Sequence, residues 1–124
     1  MSNDHPTIGD EKICYLEIFA VDVSISSTFY QKVFGWKIRK RGEGKIAFDD
    51  GVGEVSGTWT TGRKPYAEIW ILIFIMVDKA MEAIEKIITN GEKIVQPIGK
   101  DYPEITARFR DPAGNIMGIY QEKG

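Results

Sequence analysis

The sequence predicts an α+β fold made of two copies of a βαβββ unit, and a faint internal repeat is the main evidence. The segments YLEIFAVDVSISSTFYQKVFGWKI and ILIFIMVDKAMEAIEKIITNGEKI share one layout. Each has an apolar strand ending in Val-Asp, then a helix, a glycine, and Lys-Ile opening a second strand. Val21 and Val77 are 56 residues apart, and so are Gly35 and Gly91. Matching positions within a matching element order indicate duplication of one supersecondary unit.

Each copy carries the signals of a capped amphipathic helix. Asp22 and Asp78 are predicted N-caps, because a carboxylate can accept hydrogen bonds from the first free amides of a helix. Gly35 and Gly91 are predicted to end the helices in the left-handed conformation that glycine adopts readily. The predicted apolar stripes are Ile25, Phe29, Val33 and Phe34 in the first helix, and Ala80, Met81, Ile84, Ile87 and Ile88 in the second.

Further strands complete each unit. The apolar run Ile69–Val77 contains aromatic and β-branched residues and is about half as long as a membrane helix, so it is interpreted as a buried strand. Glycine-rich turns separate the predicted strands that follow the first helix. The remaining strands are predicted near 45–49 and 54–60 in the first unit and near 93–97, 105–110 and 115–121 in the second.

The domain organisation follows from this layout. Residues 1–11 are expected to form a flexible N-terminal leader. Residues 12–124 are expected to form a single domain, with the two repeats at about 12–60 and 66–121. The stretch Thr60–Pro65 is the predicted connection between the repeats.

Composition narrows the class of protein. The chain has 124 residues, 43% of them hydrophobic, and a net charge of −2, which gives no basic field for nucleic acid or anionic lipid. Its single cysteine, Cys14, excludes an internal disulfide and is compatible with a reducing cytoplasm. The only histidine, His5, is expected in a solvated tail that lacks an apolar signal core. We therefore expect a cytoplasmic protein without nucleic-acid or membrane partners.

Two motifs carry a resemblance to a known family. With the two βαβββ units, FYQKVFGWKI after the first helix and FRDPAGNIMGIYQ near the end resemble the vicinal oxygen chelate superfamily, from about Lys12 to Gln121. This superfamily contains glyoxalases, bleomycin resistance proteins, fosfomycin resistance enzymes and extradiol dioxygenases. The resemblance implies that the two units face each other and form a curved mixed sheet around a cavity. It also implies a small-molecule ligand and a homodimer.

Members of the superfamily often hold a divalent metal through His or Glu side chains. The resemblance places the first-strand ligand position at Tyr15, its repeat counterpart at Ile71, and the last-strand position at Gly118. The fourth position is expected near Glu54. Because a metal site needs several converging donors, these residues predict that no catalytic metal is bound.

Glu17 is the residue predicted to carry any chemistry. Alternation along the first strand places it on one face with Tyr15 and Phe19. A carboxylate partly withdrawn from water between aromatic side chains is suited to proton transfer or to binding a cationic ligand. The alternative is an ion pair with a cation on a neighbouring strand, such as Arg108. The predicted ligand-binding residues are Tyr15, Glu17, Phe19, Trp59, Ile71, Ile73, Arg108, Gly118 and Tyr120.

Three functions follow from these expectations. The first is a metal-independent protein that binds a small organic molecule in an apolar cavity, in the manner of bleomycin resistance proteins. The second is a metal-dependent lyase or dioxygenase, similar to lactoylglutathione lyase, whose metal ligands have moved to Glu17 and Glu54. The third is a non-enzymatic accessory dimer.

Overall fold

The computed structural model describes residues 9–62 and 71–122. The chain divides into two compact units with a boundary between residues 64 and 65. Each unit contains one α-helix and one four-stranded mixed sheet, so the predicted α+β class with two βαβββ modules is confirmed. Most of the predicted leader, including His5, lies outside the described residues, and so do residues 63–65 of the predicted connection and the first two residues of the run Ile69–Val77.

The first unit has its first and last strands side by side. Its sheet has the order β1-β4-β3-β2, in which β1 and β4 are parallel and the other neighbours are antiparallel. A short 3-10 helix, Gly42–Gly44, connects β2 to β3. The elements are β1 (Tyr15–Phe19), α1 (Val23–Phe34), β2 (Lys37–Lys40), β3 (Ile46–Asp49) and β4 (Ser56–Thr60).

The second unit repeats this topology. Its sheet has the order β5-β8-β7-β6, again with the first and last strands parallel and the others antiparallel. The strand predicted near 105–110 is observed with those bounds. The elements are β5 (Phe74–Val77), α2 (Ala80–Thr89), β6 (Lys93–Gln96), β7 (Ile105–Arg110) and β8 (Ile116–Gln121).

The two helices begin differently, although the repeat predicted the same cap for both. Asp22 is the N-cap of α1, and its Oδ1 accepts a hydrogen bond from the Ile25 amide at 3.2 Å, as predicted. The prediction of Asp78 as the second N-cap is wrong, because α2 begins one residue later, after Lys79. In that first turn, the Ala80 N–H donates to a side chain outside the helix, Gln121 Oε1, at 2.8 Å. The two N-caps are therefore 57 residues apart rather than 56.

A left-handed glycine follows each helix, but only Gly35 is the C-cap that was predicted. Gly35 has φ of 69° directly after α1, and its amide donates to carbonyls of the last turn. Gly91 has φ of 92° and follows Asn90, the residue that caps α2. Residues with a Cβ rarely adopt this conformation, which explains glycine at both positions.

The buried helix faces are rotated from the predicted stripes. Ile25, Met81 and Ile88 are more than half exposed, at 58%, 62% and 57%, so their assignment to the core is wrong. Small side chains take part in the buried faces instead, and they allow a helix to lie close to its sheet. The buried residues are Ser26, Ser27, Phe29, Tyr30 and Val33 in α1, and Ala80, Ala83 and Ile87 in α2.

Aromatic rings fill the core of the first unit. Trp36 stacks on Tyr30 of α1 and on Phe48 of β3, with ring centroids 4.5 Å apart in both pairs. Phe48 also contacts Trp59 of β4, at 4.7 Å. Gly57 gives these rings room, because a Cβ there would lie 2.5 Å from Cζ of Phe48.

The Asp-Pro-Ala-Gly-Asn turn between β7 and β8 is a closed hydrogen-bonded structure. Asp111 is 1% exposed, and its Oδ1 accepts from the amides of Ala113 and Asn115 at 2.9 and 2.8 Å. Its Oδ2 accepts from the side-chain amide of Asn115 at 2.9 Å. Because the polar side chains of the motif bond within the turn, the motif positions β8 rather than supplying reactive groups.

Within residues 9–62 and 71–122, neither helix has the length and apolar character needed to cross a bilayer.

Candidate functional site

Each sheet has one face covered by the helix of its own unit, and we call the opposite face the open face. In the first sheet, Tyr15, Glu17 and Phe19 lie together on the open face of β1, as strand alternation predicted. Tyr15 is 43% exposed and Glu17 is also exposed, so Glu17 does not lie in the partly buried environment predicted for it. Arg108 belongs to the other sheet, so it is not on a strand adjacent to that of Glu17.

Trp59 does not share this face, and its predicted placement is wrong. In the parallel pairing of β1 with β4, Trp59 lies beside Ile18, whereas Glu17 lies beside Thr58. Trp59 is 4% exposed and packs in the aromatic core against Phe48. Side chains alternate between the two faces of a strand. The observed register of β1 and β4 therefore places the Trp59 ring on the helix side and not on the open face.

A buried polar cluster on the open face of the first sheet was not predicted. Asp49 of β3 is 2% exposed and accepts two hydrogen bonds from Arg39, at 2.9 and 3.1 Å. Ser56 Oγ donates to the same carboxylate at 2.7 Å. Burial by itself raises the pKa of Asp49, but the bonds from Ser56 and Arg39 and the charges of Arg39 and Lys37 lower it overall.

A shallow pocket of about 500 Å³ lies beside this cluster, at the edge strand β2. The carboxylate of Asp49 in the wall of this pocket is already paired with Arg39. Its lining residues are Gln31, Gly35, Trp36, Lys37, Ile38, Arg39 and Asp49.

In the second sheet, three predicted site residues share the open face. Arg108 of β7 lies directly beside Gly118 of β8, and Tyr120 follows two positions along β8 on the same face. Phe74 of β5 lies on the other side of Gly118. The sequence analysis missed Phe74, because a repeat spacing of 56 assigned Ile71 and Ile73 to this face instead.

Ile71 and Ile73 are not placed as predicted. Ile71 is 69% exposed and precedes β5. Ile73 is two residues before Ile75 and therefore lies on the same face as Ile75. Ile75 pairs with the buried Ile119, so this face is the helix side. The Ile73 backbone carbonyl accepts a hydrogen bond from the Gly118 amide at 2.8 Å. Ile73 therefore takes part in this region of the sheet through its backbone and not through its side chain.

Tyr120 is half-buried, and its hydroxyl donates to Glu122 Oε1 at 3.3 Å. Burial raises the pKa of Tyr120, and the carboxylates of Glu122 and Glu104 raise it further. The phenol is therefore held in its neutral form, as a hydrogen-bonding group.

The strand pairings locate the fourth position at which the family resemblance expects a metal ligand. With the 57-residue spacing of the helix N-caps, Glu17 in the first unit corresponds to Phe74 in the second. Glu17 pairs with Thr58 and Phe74 pairs with Gly118, so Thr58 is the counterpart of Gly118. The hydroxyl of Thr58 donates to the Ile46 carbonyl at 2.6 Å.

Glu54 is therefore not at the ligand position expected near it. It lies in the turn before β4, and its carboxylate is 3.4 Å from Lys12 Nζ. The spacing of 57 also moves the counterpart of Tyr15 from Ile71 to Leu72. The four expected positions thus hold a phenol, an isobutyl group, a hydroxyl and a glycine, a set that does not fit a divalent-metal site. Within residues 9–62 and 71–122, no three His, Cys, Asp or Glu side chains are grouped so that they could hold a metal ion.

Gly118 is also sterically closed to a side chain. A Cβ at this position would lie 2.6 Å from both Cδ1 and Cε1 of the Phe74 ring. Carbon atoms in normal contact are about 3.5–4 Å apart, so the ring occupies the space in which a ligand side chain would stand.

The topology of the two units defines a class of protein: paired βαβββ modules, each with its first and last strands parallel. The chain belongs to the family described as the Glyoxalase/Bleomycin resistance protein/Dioxygenase superfamily, which matches residues 12–119.

Individual relatives are more distant. The chain is 30% identical to a lactoylglutathione lyase of Neisseria meningitidis, over 79% of this chain and 81% of that protein. It is 28% identical to a lactoylglutathione lyase of Escherichia coli O157:H7, over 82% of this chain and 86% of that protein. Its fold matches the fosfomycin resistance protein FosX of Listeria monocytogenes with a TM-score of 0.76 at 13% identity, over 91% of this chain and 92% of that one.

Proposed function

We propose that this protein binds a small organic molecule without a catalytic metal. The observation that carries the proposal is the Phe74 ring, which lies over Gly118 at the position of the expected last-strand ligand. The other three expected positions, Tyr15, Leu72 and Thr58, offer no carboxylate or imidazole. Membership in a superfamily that includes bleomycin resistance proteins supports small-molecule binding as the remaining function.

The open faces of the two sheets supply the chemistry for binding. On the first, Tyr15 and Phe19 flank the carboxylate of Glu17. On the second, Phe74 and Tyr120 lie on the same face of the sheet as Arg108. Aromatic surface with a few charged groups is typical of sites for small organic ligands. Glu17 is the proposed contact for a cationic group of the ligand.

Two measurements test this proposal. Elemental analysis before and after dialysis with Zn²⁺, Ni²⁺ or Mn²⁺ is expected to find no stoichiometric, tightly held ion. A thermal-shift screen of metabolites and antibiotics is expected to find ligands that raise the melting temperature, because a ligand that binds only the folded state stabilises it. A stoichiometric metal, or the absence of any ligand in a broad screen, contradicts the proposal.

The role of Glu17 needs its own variant. Glu17→Gln is expected to reduce the thermal shift produced by cationic ligands, whereas Glu43→Gln, at an exposed carboxylate in the 3-10 helix of the same unit, leaves it unchanged. If cationic ligands give equal thermal shifts in the two variants, Glu17 has a structural role and does not contact the ligand.

The similarity to lactoylglutathione lyases favours a second candidate, a metal-dependent lyase with displaced ligands. The test is formation of S-lactoylglutathione from methylglyoxal and glutathione by protein dialysed with Ni²⁺ or Zn²⁺. Activity that disappears in Glu17→Gln and Glu54→Gln supports this candidate over the first.

We also propose that the protein is a homodimer, as members of this superfamily often are. Sedimentation equilibrium tests this, and a monomer at all accessible concentrations contradicts it.

A further inference from the structure

Three side-by-side positions form a row across the open face of the second sheet. Phe74 of β5, Gly118 of β8 and Arg108 of β7 are paired in register, with the glycine in the middle. Neighbouring strands are about 4.8 Å apart, so the outer two backbones of the row are separated by about 10 Å. Because Gly118 has no side chain, the Phe74 ring lies over the Gly118 backbone, between its own strand and that of Arg108.

Arg108 brings an unused donor to this row. Its Nε is buried, yet it has no hydrogen-bond partner in the part of the chain that the structure describes. The neighbouring side chain across β6, Gln96, donates instead to Asp101, which also accepts from Thr106. A buried donor of a charged group that lacks an acceptor is costly, so this Nε favours any ligand that supplies one.

The geometry of the guanidinium selects the type of acceptor. Nε and one terminal nitrogen of arginine form a planar fork whose two N–H groups match the two oxygens of a carboxylate. The guanidinium carries a positive charge, so the fork prefers an anion.

Phe74 supplies an apolar surface next to the same fork. Its ring lies over Gly118, with Cδ1 and Cε1 each 2.6 Å from the place of a Cβ, and the residue is 44% exposed. A ring held against the backbone but partly exposed can stack on a second flat group at low entropic cost. The row therefore places a flat apolar contact and an anion contact on one face of the sheet.

We propose that the row Phe74–Gly118–Arg108 binds an aromatic carboxylate, with the carboxylate on the Arg108 fork and the ring of the ligand against Phe74. This inference rests on the proposed small-molecule-binding function and names its ligand class. The contribution of Gly118 is space, since a side chain here would displace the Phe74 ring.

The test uses two probes that differ only in charge, 2-naphthoate and 2-naphthamide, titrated into the full chain and followed by NMR. A ligand of this size is expected to bind with a Kd at or below about 1 mM. Wild-type protein is expected to bind the carboxylate at least tenfold more tightly than the amide.

Variants of Arg108 and Phe74 measure how much each of these two contacts contributes to the affinity. Arg108→Gln is expected to weaken binding of 2-naphthoate at least tenfold and to leave 2-naphthamide within twofold. The matched control Arg110→Gln, two residues along the same face of β7, is expected to change neither. Phe74→Leu is expected to weaken both probes by a similar factor. Arg108→Lys keeps the charge but not the fork, so it serves as a second variant if Arg108→Gln does not fold.

The outcomes separate this inference from the proposed function. If wild-type protein binds other small molecules but not 2-naphthoate, or if Arg108→Gln and Arg110→Gln behave alike, the aromatic-carboxylate site is refuted while small-molecule binding stands. A stoichiometric metal in the purified protein refutes the proposed function independently of these titrations.

Discussion

Replacing Gly57 with alanine is expected to destabilise the protein far more than the same replacement at Gly118. Both glycines lie in the last strand of their unit, but they face opposite sides of the sheet. At Gly57 a Cβ would meet the Leu16 carbonyl oxygen and the Phe48 ring, at 2.5 Å from Cζ and 2.8 Å from Cε2. The carbonyl belongs to the strand ladder, and the ring is fully buried, so neither can move away.

The magnitudes follow from how far each neighbour must move. Normal carbon contacts need about 3.5 Å, so Phe48 must shift by about 1 Å within a close-packed aromatic cluster, at a cost of about 3 kcal/mol or more. At Gly118 the three nearest atoms all belong to the Phe74 ring, and this residue is 44% exposed and can rotate outward. The cost there is expected to be about 1 kcal/mol, because alanine also loses less conformational entropy than glycine on folding.

Chemical denaturation followed by far-UV circular dichroism measures both variants. The Phe74→Ala background provides the control: in it, Gly118→Ala is expected to lose its cost, giving a coupling energy of about 1 kcal/mol. The reasoning is refuted if Gly57→Ala is no more destabilising than Gly118→Ala, or if Phe74→Ala leaves the cost of Gly118→Ala unchanged.

Three further predictions concern the polar groups that order the two units. Asp49→Asn is expected to lower the free energy of unfolding by about 1–3 kcal/mol at pH 7, because Arg39 loses a charged acceptor. The pKa of Asp49 is lowered in the folded state, so its stabilisation is complete above about pH 4 and is lost as the pH falls further; denaturation at neutral and acid pH should therefore differ less in the variant than in the wild type. Asp22→Ala is expected to cost about 1 kcal/mol as a lost N-cap, whereas Asp78→Ala, which removes no cap, should leave the denaturation midpoint unchanged; equal effects would contradict the observed caps. Asp111→Ala is expected to cost about 3 kcal/mol or more, because three buried donors lose their acceptor, and a melting temperature close to that of the wild type would show that the turn does not depend on them.

Local patterns predicted most of the fold. The order of strands and helices, the N-cap at Asp22 and the left-handed glycines after both helices depend on residues close together in the chain. Such signals act through neighbouring backbone amides and steric limits on φ, so they can be recognised without knowing the tertiary structure.

The candidate site could be predicted only in part. Tyr15, Glu17 and Phe19 share a face because they alternate within one strand, a property of the sequence alone. The face on which Trp59 lies depends on whether it pairs with Ile18 or with Glu17, and no residue near Trp59 encodes that choice.

The largest error in predicting the site residues came from a repeat spacing of 56 residues where the structure has 57. A slip of one residue in a strand moves every side chain to the opposite face. The predicted spacing of 56 placed Ile71 at an expected ligand position, whereas the observed spacing of 57 places Leu72 there. The predicted spacing also failed to identify Phe74, whose ring covers Gly118.

The sequence by itself determined the class of fold, the duplication, and the lack of a carboxylate at Gly118, because these depend on residue identity and local pattern. Only the tertiary structure decided which side chains meet. Strand register and helix rotation are set by packing between segments far apart in the chain, such as the Trp59 ring in the aromatic core and the row formed by Phe74, Gly118 and Arg108.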